Sequence, residues 1–169
     1  MTLWAATRRG LPPLMRVSAA VFAAAAFFGV LRFTGLHPEA FPHQPLSMLT
    51  GVAAFPALAF AAARPASRLS RELWAAVGLT FALGATGAFV VQGLGWRPYV
   101  DACALLSVVA LFLAMRQRSD SLGGGAALAM LIGLLCFAAK FPASGPLLPG
   151  DLLHLGLATG WALLVRGHR

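Results

Sequence analysis

Acidic residues are nearly missing from this chain: five Asp and Glu among 169 residues, with charged side chains of either sign making up only 11%. Soluble domains carry roughly 25%, so too little polar surface is available to clothe a water-exposed globule. The two cysteines, Cys103 and Cys136, sit in apolar stretches without a CxxC spacing. That excludes a disulfide framework and a thiolate zinc site, and leaves both as small packing residues. There is no GxSG or GxSxG nucleophile turn, no Walker loop, and neither HExxH nor HxxxH. Ser47 and Ser107 have no sequence-local base that would mark either as a nucleophile. Glycine (18) and proline (11) are plentiful, but without a collagen-like or low-complexity period.

What is present is apolar: 59% of residues are hydrophobic and the mean hydropathy is +0.79. A membrane-spanning helix needs roughly 17–25 mostly apolar residues. Cutting the chain at its charges gives six such segments, at 14–31, 46–63, 73–95, 98–115, 122–139 and 147–165. The expected fold is all-α, a single bundle of about six transmembrane helices without a second domain. The first, fourth and sixth segments reach full length only by including Arg16, Asp101 or Asp151 near one end, so four or five spans are alternatives. Pro45 suits the first turn of the second helix, and Pro56 should kink its middle. The first segment reads as a retained anchor, because removing it would upset the even-numbered topology that the charges support.

Orientation follows from the basic residues. Alternate loops place Arg8, Arg9, Arg16, Arg64, Arg68, Arg71, Arg116, Arg118, Arg166 and Arg169 on one side, against Arg32, Arg97 and Lys140 on the other. By the positive-inside rule both termini are expected in the cytoplasm of a cell-membrane protein. With Glu72 and Asp120 inside and Glu39, Asp101 and Asp151 outside, the whole formal charge of +8 falls on the inner face. Attraction to the lipid bilayer explains it, and no nucleic-acid partner is needed.

No charged residue lies in the middle of a proposed span, and the mid-depth polar groups are few, Thr80, Thr86 and Ser107 among them. Proton relays and ion pathways place ionisable groups there, which argues against a pump or proton-coupled carrier. Small-xxx-small spacing occurs at Ala19/Ala23 and Ala20/Ala24 in the first span and at Gly156/Gly160 in the last. These faces serve either packing within the chain or docking of a partner membrane subunit. Trp74, Trp96, Tyr99 and Trp161 read as an interfacial aromatic belt.

The non-cytoplasmic face is the one polar constellation. Its candidate ligand-binding residues are His37, Glu39 and His43 in the first outer loop, Arg97, Tyr99 and Asp101 in the second, and Lys140, Asp151 and His154 in the third. At roughly 100° per residue, Gly156 and Gly160 project about 200–240° away from His154, so the polar and smooth faces of the last helix differ. Three readings stay open. The loops are simply hydrated, with Asp151 capping the last helix and Arg97/Asp101 an i,i+4 pair; or they line a pocket for an anionic molecule; or His37, His43 and His154 bind a metal. Haem ligation by two of these histidines is a further variant, and the sequence names no cofactor.

The stretch Gly150-Asp-Leu-Leu-His154 running to Leu164-Val-Arg-Gly resembles the terminal helix of membrane hydrolases related to alkaline ceramidases and progestin-type receptors. That resemblance implies a metal-dependent hydrolase acting on lipid at the outer leaflet, with His154 as a ligand. No second histidine follows before His168. The layout of six helices with an Ala-x-x-x-Ala face on the first is similar to the substrate-binding subunits of energy-coupling vitamin importers. It implies an outward-facing ligand pocket and a partner subunit. The expectation carried forward is a non-enzymatic accessory or ligand-binding subunit of a membrane complex or transport system. The lipid hydrolase is the alternative.

Overall fold

In a computed structural model, residues 2–8, 10–33, 43–142 and 148–167 are described, and they form helices and turns with no strand among them. A short α1 (Thr2–Thr7) leads into α2 (Pro13–Phe33). One continuous helix follows, made of α3 (His43–Leu49), a wide π turn (Thr50–Ala54) and α4 (Phe55–Ala63). After the one-turn α5 (Arg68–Arg71) comes α6 (Leu73–Ala88), which ends in a second π turn (Phe89–Gly93). The chain closes with α7 (Tyr99–Gln117), α8 (Ser121–Ala138) and α9 (Pro149–Gly167).

Five of these helices are long and apolar enough to cross a membrane: Pro13–Leu31, His43–Ala63, Leu73–Gly93, Tyr99–Gln117 and Ser121–Ala138. α9 has 19 residues but carries Asp151, His154 and Arg166 together with four glycines, and falls outside that set. The chain is thus an all-helical bundle of the multi-pass type.

The helix boundaries follow local chemistry. Pro13 and Pro149 open α2 and α9 at the first helical position, where a missing N–H costs nothing. Pro45 lies in the first turn of α3, as expected. Pro56 has no N–H to donate and its ring presses on the preceding turn; the backbone responds by widening just ahead of it, so that Phe55 N–H bonds Thr50 O five residues back. Where the sequence points to a kink at Pro56, the structure has a π turn.

Two helices end in left-handed residues that are not glycine. Lys140 (φ 51°) lets Phe141 N–H reach Cys136 O at 2.9 Å and its own N–H reach Phe137 O at 3.1 Å. Ser119 (φ 56°) does the same for Asp120 and Met115 at the end of α7. Asp120 then begins α8, its carboxylate accepting from Gly123 N–H at 2.8 Å.

α3, α4 and the π turn between them are the hub. The π turn meets α2, α6 and α7, while α8 joins through α7 and pairs with α9. At the centre Phe22 of α2 makes edge contacts with Phe55 at 4.8 Å and with Trp161 at 5.8 Å. Trp161 is 0% exposed. This corrects its reading as an interfacial belt residue: α9 turns that ring inward onto Phe22, whereas Trp74 and Trp96 remain exposed. The mid-span hydroxyls are satisfied on their own helices, Ser18 on Leu14 O, Thr80 on Ala76 O, Thr86 on Ala82 O and Ser107 on Cys103 O.

Candidate functional site

The residues expected on the outer face are distributed over four helix ends, the starts of α3, α7 and α9 and the end of α8. His37 and Glu39 lie outside the described residues. His43 starts α3 with its ring against α2, so close that a methyl group on Gly29 would meet the ring at 3.2 Å. Tyr99 opens α7 and stacks at a tilt on Trp96, ring centres 5.6 Å apart. Asp101 is in the first turn of α7, where its charge suits the positive helix end. Arg97 precedes that helix, with Pro98 at the cap. The i,i+4 spacing to Asp101 therefore has no helical register to act in, and the single ion pair among the described residues is Arg68–Glu72 at 3.0 Å.

Lys140 forms the left-handed end of α8 and is exposed. Asp151 turns back to its own helix start, its Oδ2 accepting from Leu148 N–H at 2.8 Å. That is half of a capping box, and it matches the capping role expected for this residue. His154 is exposed on α9. Among the described residues no three His, Cys, Asp or Glu side chains gather as a metal would require.

The small-residue faces have definite neighbours. A methyl group on Gly156 would stand 2.6 Å from Ala129 O and 3.1 Å from Gly133 Cα, and one on Gly160 would stand 2.9 Å from Ala126 O. Gly156 and Gly160 are thus seated on α8 of the same chain. Ala19 is fully buried within the bundle and Ala23 half-buried.

The opposite end of the molecule is tied by side-chain hydrogen bonds. Three arginines there donate to carbonyls at or near the ends of helices: Arg16 Nε to Ala6 O at 3.0 Å, Arg118 Nη2 to Ala63 O at 2.9 Å, and Arg8 Nη1 to Val165 O at 3.3 Å. Carbonyls of a last helical turn have no partner within the helix, and the macrodipole makes that end negative. A guanidinium answers both needs. These bonds bring residue 8 to the end of α9, and the α7–α8 turn to the end of α4.

Two open clefts on the described surface are lined by none of the outer candidates. One, about 210 Å³, is an apolar furrow between α8 and α9 over Gly133 and Gly156. The other, about 360 Å³, lies where α7 ends and α8 begins. Its mouth is polar, with Arg116, Ser119 and Ser121, and its walls are Phe112 and Leu128. Gly124 leaves the space between them open, since nothing stands within 4 Å of where its methyl group would be.

Sequence reasoning treated residues 116–121 as a plain polar loop. The available signal was Gly123-Gly124-Gly125 one residue after it, a stretch without side chains in the first turns of a helix beside a basic turn. No protein family, characterised protein or solved structure matches this chain.

Proposed function

We propose that this is a six-span protein of the cell membrane with both termini in the cytoplasm, acting as a non-enzymatic accessory or ligand-binding subunit of a membrane complex or transport system. α9 is the sixth span. Its 19 residues extend for about 28 Å at 1.5 Å per residue, near the ~30 Å of a hydrocarbon core. An even number of crossings puts both termini on one side, which agrees with Arg8 bonding to the last turn of α9.

The accessory role rests on α6. Only Ala76, Thr80, Gly84 and Gly87 of that helix are buried, a stripe of small residues at helical spacing. Its span is 22% buried, against 56% for His43–Ala63. Leu73, Trp74, Val77, Phe81 and Phe89 are left facing outward, a broad apolar ridge suited to a second polypeptide's helices.

The test is a photo-reactive amino acid at Phe81 in the native membrane, with the same group at buried Ala76 as control. A defined polypeptide adduct from position 81 alone is expected. Adducts with lipid only would overturn the accessory role. The topology is tested separately by thiol labelling of Ala66→Cys and Arg97→Cys in intact cells: labelling is expected at 97 and protection at 66.

A further inference from the structure

We infer that the cleft between the end of α7 and the start of α8 is a binding site for one anionic phospholipid of the leaflet that faces the arginine-rich loops. The inference does not depend on the accessory role, but it does rest on the spanning arrangement proposed above.

The cleft has the polarity of a lipid. Its polar end, at the helix ends, offers the Arg116 guanidinium and the hydroxyls of Ser119 and Ser121, while its apolar sides, Phe112 and the exposed Leu128, run toward the middle of both helices and leave the furrow open to the surroundings. A guanidinium fork matches a phosphate's oxygens two at a time. Arg118, two residues on, is held by Ala63 O, whereas the guanidinium of Arg116 has no hydrogen-bond partner among the described residues and lines the opening.

Asp120 also lines the mouth and would repel an anion, but it is compensated. Its Oδ1 accepts from Gly123 N–H at 2.8 Å, and it sits at the positive end of an 18-residue helix. Arg116 and Arg118 flank it in the chain, and Gly167, the neighbour of Arg166, lies beside its carboxylate. The local balance therefore favours an anion. The slot for the acyl chain is made by what Gly124 lacks: a side chain there would project into space that is otherwise empty. The cleft of about 360 Å³ has room for a headgroup phosphate and the first methylenes of one chain.

The test is lipid retention by the full chain in detergent, read by native mass spectrometry. Phosphatidylglycerol and phosphatidylcholine with identical acyl chains are titrated against the parent, Arg116→Gln, Gly124→Leu and the control Arg71→Gln. One phosphatidylglycerol is expected to stay bound in preference to phosphatidylcholine. Arg116→Gln should weaken its retention about fivefold, in line with one juxtamembrane cation, and Gly124→Leu should abolish it. Arg71→Gln should leave it unchanged.

Thermal melting confirms that each variant is folded. If Gly124→Leu does not fold, Arg116→Gln against Arg71→Gln still decides the matter. Equal retention in Arg116→Gln and the parent, an equal fall in Arg71→Gln, no preference for the anionic lipid, or displacement by inorganic phosphate alone would overturn the proposal. Failure of the topology would appear instead as reversed labelling at positions 66 and 97.

Discussion

The α8–α9 pair and the seam between α6 and the His43–Ala63 helix are both built from small residues, yet they use them differently. Between α8 and α9 two glycines meet backbone, Gly156 facing Ala129 O and Gly133 Cα and Gly133 facing Leu152 O, where an added methyl group would stand at 3.1 Å, while Gly160 meets the Met130 side chain as well as Ala126 O. Along α6 glycine meets side chains, Gly84 receiving the tip of Leu49 and Gly87 the whole branched head of Val52. Backbone cannot move aside for an added methyl group, and Val, fixed at χ1, moves little. The end of a leucine swings away readily. Small-xxx-small spacing alone does not separate these cases, because it names the residue that is small and not the group that approaches it.

Substitutions rank the two regions. The largest loss is expected on the α9 side, where Trp161→Ala would empty the site between α9 and Phe22 and lower stability by about 3–5 kcal/mol. Thermal unfolding in detergent measures it; a change within error would mean that α9 is not anchored there. Next is Gly156→Ala, where overpacking against Ala129 O should cost about 1–3 kcal/mol.

At the α6 seam the two glycines should part company. Gly87→Ala is expected to destabilise by more than 1 kcal/mol on the same scale of overpacking, and Gly84→Ala by less than about 1 kcal/mol, since Leu49 can turn away. Equal effects at the two positions would break the distinction between a stiff neighbour and a flexible one. Smallest, and opposite in sign, is Gly124→Ala. Its methyl group meets nothing within 4 Å, so the gain in helix propensity should stabilise the protein by up to ~1 kcal/mol.

Much of this architecture was legible in the sequence, and the reason is the hydrocarbon phase. Charges and prolines mark where a helix leaves it, so the segments 46–63 and 73–95 agree with His43–Ala63 and Leu73–Gly93 to within a few residues. Pro56 pointed to a kink, but that the helix widens there depends on what packs at Thr50–Ala54, which periodicity does not carry. Trp161 misled because tryptophan is frequent both at interfaces and in cores, and only the position of Phe22 decides between them. The outer candidates were gathered by the side of the membrane expected for their loops, whereas a site needs convergence in three dimensions. Arg116 was overlooked for the converse reason: it was counted as one of ten equivalent positive charges.

The arginines tied to carbonyls near the helix ends have a consequence for biogenesis. On the topology proposed above, a cation that biases which flank of a nascent segment stays behind during insertion is, in Arg8, Arg16 and Arg118, the same group that later seals a neighbouring helix. Topogenic signal and structural clasp are one side chain. Replacing these three by lysine would preserve the signal while giving up the planar fork of the clasp, leaving a chain that threads the bilayer correctly but frays at its basic rim.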